Sequence, residues 1–304
     1  MTMDTLDHPS QNSGSRGARR GGFARSKNAD RLTRALVIIV TVVALIYILL
    51  PVYWMIKSSF QTNIDIRAQP PHWIPRQLTF QAYQDMTLVI PIWRYILNSI
   101  YVAGAAAVLS TLVGCSAAYV LARFRFPGMT ICLVMILATQ LIPPITRAFP
   151  IYSAIQSAGL LNSYTGIIIA YASFSLPFCV MLLRGYFMNN CPPDLEEAAL
   201  VDGCSYFSAF WRIILPISLP GLAAVTIFTF LNAWNDFLWA SLLLNQGEMK
   251  TVQVGIGDFS GEGGNVRYIS MFMAACVTAT IPALIMFLFV QRWLVSGLTA
   301  GSVK

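Results

Sequence analysis

The sequence predicts an all-α, polytopic membrane bundle of six transmembrane helices, with both termini cytoplasmic and a cytoplasmic helix between the fourth and fifth spans. Three observations predict it: charge is scarce, the charges that remain are spaced by long apolar runs, and Lys and Arg are unevenly shared between the two sides. Of 304 residues, 56% are hydrophobic and 11% charged, and the mean hydropathy is +0.63. A soluble domain carries about 25% charged residues. A helix needs about 20 apolar residues to cross a hydrocarbon core about 30 Å thick. Uncharged runs of that size separate Arg34 from Lys57, Arg94 from Arg123, Arg125 from Arg147, Arg212 from Asp236, and Arg267 from Arg292. The longer run from Arg147 to Arg184 contains Gly159-Leu160-Leu161-Asn162-Ser163-Tyr164, which reads as a turn ahead of a helix. The spans are therefore placed at 34–57, 93–122, 127–147, 164–186, 215–245 and 268–292.

With the N-terminus inside, thirteen of the 20 Lys and Arg residues fall on the cytoplasmic side. That bias orients the bundle. Residues 1–30, rich in Ser, Gly, Arg and Asn, bury too little apolar surface to offset ordering and read as a disordered basic tail. Their charge fits an anionic lipid surface, so the net charge of +7 does not call for nucleic acid. The tail is too long, and the apolar run after it too extended, for a cleaved leader. Residues 31–304 form the transmembrane domain. The six cysteines, with no CxxC spacing, read as packed thiols.

The first outer loop, 58–92, holds four prolines with Trp73 and reads as an ordered cap, with Trp73 and Trp93 as interfacial anchors. Ser110, Gly114 and Ala118, and likewise Ala103 and Ala107, recur every fourth residue, a stripe that admits a close neighbouring helix. Pro143, Pro144, Pro150, Pro177, Pro216, Pro220 and Pro282 mark bends. The outer loop 246–267, with Gly255, Gly257, Gly261, Gly263 and Gly264, reads either as a flexible contact for a partner or as a plain connector.

Several functions are excluded. No GxxxxGK[ST] loop is present to cradle nucleotide phosphates. His8 and His72 lie outside the spans, and neither HExxH nor GxSxG occurs, so no hydrolytic centre is visible. An ion-coupled carrier needs midplane ion ligands and usually an internal repeat. Asp236 is the one ionisable residue placed inside a span, and no repeat is evident. Beside Trp234, Asn235 and Trp239, Asp236 is read two ways: it lines a polar path with aromatic walls, or it pairs with a neighbouring helix.

The segment between spans four and five is the most informative. It runs Cys191-Pro192-Pro193-Asp194-Leu195-Glu196-Glu197-Ala198-Ala199-Leu200-Val201-Asp202-Gly203. Asp194 with Glu197 resembles a capping box, Gly203 sits where a left-handed cap would close the helix, and Ser205 can cap a second helix that reaches Pro216. Glu197-Ala198-Ala199, Asp202-Gly203 and Ile213-x-Leu215-Pro216 together resemble the EAA loop of permease subunits of ATP-binding cassette importers. Pro150-Ile151-Tyr152, the run from Gly159 to Gly166, Leu176-Pro177-Phe178 and the run from Phe230 to Trp239 are similar to the carbohydrate-uptake branch. The last residues, from Gln291 to Lys304, are similar to the tail of the shorter maltose-type permease subunits.

The resemblance implies a permease subunit of a sugar importer working by alternating access, without catalytic chemistry of its own. Its partners would be a second permease, two ATPase subunits and an external solute-binding protein. ATP and Mg would be used by the ATPase, and this chain would bind no cofactor. The loop 191–215 would be the coupling helix, with Glu197, Ala198, Ala199, Asp202, Gly203, Leu215 and Pro216 at the ATPase. Gly301, Ser302, Val303 and Lys304 would reach toward the same partner. Cys204 departs from the alanine usual in the motif.

Overall fold

The computed structural model describes residues 27–260 and 268–299. Every regular element among them is helical. In order these are α1 (Lys27–Ser59), α2 (Asn63–Ile66), α3 (Gln81–Val89), α4 (Ile92–Arg123), α5 (Met129–Leu141), α6 (Pro144–Ser157), α7 (Tyr164–Asn190), α8 (Asp194–Val201), α9 (Tyr206–Ile217, π-helical over Phe210–Ile214), α10 (Leu219–Trp234), α11 (Leu238–Leu243), α12 (Val252–Gly257) and α13 (Ile269–Thr299). The chain forms two units, Met1–Val52 and Tyr53–Lys304. In the first, the apolar side chains from Leu36 to Leu50 are exposed. Helix α1 begins at Lys27, inside the stretch read as tail. Residues 1–26 and 300–304, which include the rest of that tail and Gly301, Ser302, Val303 and Lys304, lie outside the described residues.

The core of the second unit is α4 packed along α7 and α10. The small-residue stripe makes this possible: Ala103, Ala107, Ser110, Gly114 and Ala118 are all buried. A Cβ on Gly114 would stand 2.7 Å from Cys179 Cβ, so the two backbones approach as closely as glycine permits.

Among the described residues four helices are long and apolar enough to cross a membrane, or up to six spans if each of two bent pairs counts as one. The single helices expected at 127–147 and 215–245 are broken. Helices α5 and α6 meet at 104°, and α9 and α10 at 76°. Proline chemistry causes the first break. A residue before proline is driven out of the α region, and Ile142 (ψ 120°) and Pro143 (ψ 139°), each followed by a proline, are both extended. Helix α5, at 13 residues, is about 20 Å long and does not cross the core alone. The fifth expected span ends at Trp234, and Asp236 therefore lies in the break before α11 rather than inside a helix.

The outer segments are pinned. Lys57 Nζ donates to the His72 carbonyl at 2.8 Å, and Trp54 meets Trp73 edge-on, forming the ordered cap expected at 58–92. Asn162, at φ 53°, anchors the turn before α7 by accepting from the Asn245 and Gln246 backbone N–H groups. Of the loop 246–267, expected as a flexible contact or a plain connector, residues 246–260 are described, and this part is held against α4. Asn98 Nδ2 donates to the carbonyls of Glu248 and Lys250, and Ser99 Oγ accepts from the Val252 N–H. A Cβ on Gly255 would fall 2.1 Å from Tyr95 Cδ2, so this glycine provides a close approach of α12 to α4. Gly261, Gly263 and Gly264 lie outside the described residues. All six cysteines are free.

Candidate functional site: a rooted helix and a polar cavity

Helix α8 starts differently from the expected capping box. Its N-cap is Pro193, already α-helical (φ −56°, ψ −31°), and no side chain caps it. Asp194 is the first helical residue, and the Pro193 carbonyl accepts from the N–H groups of Glu196 and Glu197. The three acids of the first turn still favour the positive end of the helix. At the other end the sequence reading holds. Gly203 adopts φ +85°, its N–H donates to Leu200 O at 3.0 Å, and the Cys204 N–H donates to Ala199 O at 2.9 Å. This is the paired hydrogen bonding of a Schellman turn. Ser205 Oγ then accepts from the Ser208 N–H and starts α9.

The two neighbouring glutamates separate. Glu197, with Ala198, Asp202 and Gly203, is exposed, whereas Glu196 and Ala199 share the buried face. Leu215 is half-buried and Pro216 exposed. Glu196 Oε1 lies 2.5 Å from Arg123 Nε at the end of α4, with the two side chains 6% and 10% exposed. Tyr119 Oη donates to Glu196 Oε2 at 3.1 Å, and Arg123 Nη2 donates to the Cys191 carbonyl at 2.6 Å. The sequence reading singled out Glu197 and missed this root. The available signal was the spacing: Glu196 lies three residues before Ala199, on the face of a short helix that must pack.

The second feature is a cavity of about 520 Å³ lined by Arg147, Tyr171, Phe174, Asn232, Asp236 and Trp239 among others. Asp236 Oδ1 accepts from Tyr171 Oη at 2.8 Å and from the N–H groups of Trp239 and Ala240 at 2.9 and 3.1 Å. The carboxylate thus pairs with α7, caps the first turn of α11 and faces the cavity at once. Phe174 and Trp239 form an aromatic wall, with centroids 4.6 Å apart. Trp234 and Asn235 do not join this group. Trp234 is buried against Phe230, and Trp234 and Asn235 line a separate cavity of about 260 Å³. Arg147, at the end of the span expected at 127–147, lies on α6 just beyond the 104° break and lines the cavity that holds Asp236. Among the described residues no group of three or more His, Cys, Asp or Glu gathers as a metal-ligand set.

Residues 117–300 match the family of binding-protein-dependent transport system inner membrane components. The chain belongs to this family. It is 35% identical over 266 residues to the diacetylchitobiose uptake system permease protein DasC of Streptomyces coelicolor, covering 88% of this chain and 95% of that one. It is 34% identical over 277 residues to the trehalose/maltose transport system permease protein MalG of Thermococcus litoralis, covering 90% and 98%. A solved bacterial ABC transporter for the import of alginate shares its fold, with TM-score 0.76 at 22% identity over 88% of this chain and 98% of that one. This permease is therefore a multi-pass inner-membrane subunit of a binding-protein-dependent ABC importer, not an ion-coupled carrier.

Proposed function

We propose that this permease is one of two that together enclose the path of an ATP-driven sugar importer. Both termini are cytoplasmic, and α8 and α9 dock on an ATPase subunit through Glu197, Ala198, Asp202, Gly203, Leu215 and Pro216, whereas Ala199, expected among them, is turned to the buried face and seats the helix. The C-terminal residues Gly301, Ser302, Val303 and Lys304 reach the same ATPase. ATP and Mg belong to that partner, and this chain has neither a nucleotide site nor a catalytic one. An external solute-binding protein delivers the sugar. The relatives whose names specify diacetylchitobiose and trehalose/maltose support a sugar as cargo.

The observation that carries the reading is the Arg123–Glu196 root. It ties the exposed edge of α8 to the end of α4, and α4 packs along α7 and α10. Helix α7 carries Tyr171, and α10 ends just before Asp236. Closure of an ATPase dimer on α8 is thereby passed as rigid-body motion to the walls of the larger cavity. Asp236 and Trp239 line the path there, offering an acceptor and an aromatic face to a sugar. Asn235 faces the adjoining cavity with Trp234 as its wall.

The test is a pair of variants in the assembled transporter. Glu197→Lys reverses an exposed charge, and Gly203→Pro imposes φ near −65° where the turn needs +85°. Both should leave the protein in the membrane at normal level and ATP hydrolysis measurable, while uptake falls. Normal uptake by either variant would remove the coupling role from this loop.

A further inference from the structure

Arg147 is the unexplained charge in the cavity. The ion pairs among the described residues join Arg94 to Glu248, Arg123 to Glu196 and Lys250 to Asp258, and Arg147 takes part in none. Its Nε is buried and meets no acceptor. The guanidinium lies over the Phe174 ring, 5.4 Å from the centroid, and the residue as a whole is half-buried, so the charge stays in contact with the cavity. Asp236 lines the same cavity, yet three donors already converge on its Oδ1, and it forms no ion pair with Arg147. The carboxylate is committed to α7 and α11, and the guanidinium is left open toward the space the cargo would fill.

We propose that Arg147 is a specificity-determining residue, selecting a sugar that carries an anionic group: a carboxylate, sulfate or phosphate. The inference rests on the cavity being the sugar path. Chemistry supports the match. A guanidinium presents several N–H donors in a fixed plane that suits paired anionic oxygens. An anion in the cavity supplies the counter-charge that Arg147 lacks, while Phe174 and Trp239 beside it face the apolar side of a sugar ring. A neutral sugar would leave the cation unneutralised.

The experiment uses the transporter assembled from this chain and its co-purifying partners in lipid nanodiscs. An Asn232→Cys variant places a thiol in the cavity wall, and its labelling by a maleimide, above that of the unsubstituted chain, is followed with sugars added in matched pairs. The pairs are glucose with glucuronate, galactose with galacturonate, and neutral with uronate disaccharides. At least one acidic member should protect the thiol at a concentration roughly tenfold to a hundredfold below its neutral partner, the span of a hydrogen bond to a charged group. Arg147→Gln should erase that difference, and Arg147→Lys should retain part of it. Equal or better protection by the neutral partners, a preference that survives Arg147→Gln, or no protection by any acidic member would overturn the proposal. Protection by neutral sugars alone would leave the path reading intact, whereas protection by no sugar of either kind would count against that reading as well.

Discussion

Replacing Glu196 with Gln should loosen the coupling segment while leaving the bundle folded. The side chain is 6% exposed and its partner Arg123 stands 2.5 Å away. Removing one charge from a buried pair costs about 3–5 kcal/mol, because the other is left uncompensated. Gln keeps one oxygen for Arg123 and turns its NH2 toward the Tyr119 hydroxyl, which can accept from it, and the Arg123–Cys191 contact survives, so the low end of that range applies. A loss of about 3 kcal/mol shifts the docking of α8 on α4 roughly a hundredfold. The pair borders the smaller apolar cluster of Tyr119, Leu183, Phe187, Cys191 and Phe210 and not the larger cluster around Tyr95, Tyr171 and Trp234, so the loss is confined to the end of the bundle that carries α8. The assay is sugar uptake per ATP hydrolysed in proteoliposomes, together with the rate of protease cleavage within 191–204. Uptake per ATP should fall and cleavage should speed up. In the double variant Arg123→Met with Glu196→Met no charge is stranded, and exchanging a buried pair for apolar side chains is often neutral. Protease resistance should then return. If Glu196→Gln keeps the original ratio and cleavage rate, α8 is not held by this pair and the path of force from α8 to α4 is wrong.

Two further substitutions probe the walls of the bundle. Gly255→Ala sets a Cβ against the Tyr95 ring at 2.1 Å, and overpacking of this kind costs about 1–3 kcal/mol, so the thermal midpoint of the purified protein should drop. An unchanged midpoint would mean that α12 is not seated on α4. Asp236→Asn retains an oxygen for Tyr171 and for the first turn of α11, so protein level should stay normal while uptake falls severalfold. Normal uptake at normal level would confine Asp236 to a structural role.

The parts of the fold set by local chemistry were legible in the sequence. The stripe through Ser110, Gly114 and Ala118 announced the close α4–α7 contact, and Gly203 announced the left-handed turn after α8. Apolar runs count residues but not bends, so two spans expected to be single helices are broken pairs. The prolines pointed to bending without giving its angle, and Arg147 lines the cavity just beyond that bend. Asp236 was noticed for its rarity, but its partner Tyr171 is 65 residues away on another helix and no spacing rule joins them. Glu196 and Glu197 differ only in the face they occupy, and packing against Arg123 decides between them. Gly255 and Gly257 suggested a flexible loop because glycine serves freedom and close approach alike, and only the neighbouring rings distinguish the two.

The central claim is that this chain works as one subunit of an ATP-driven importer. The most direct test is affinity purification of the chain from native membranes in mild detergent, with the co-purifying proteins identified and their ATPase activity measured. A second permease, an ATPase and a solute-binding protein should co-purify, with hydrolysis stimulated when the binding protein carries its sugar. Recovery of the chain alone, folded and monodisperse, with no ATPase attached, would contradict it.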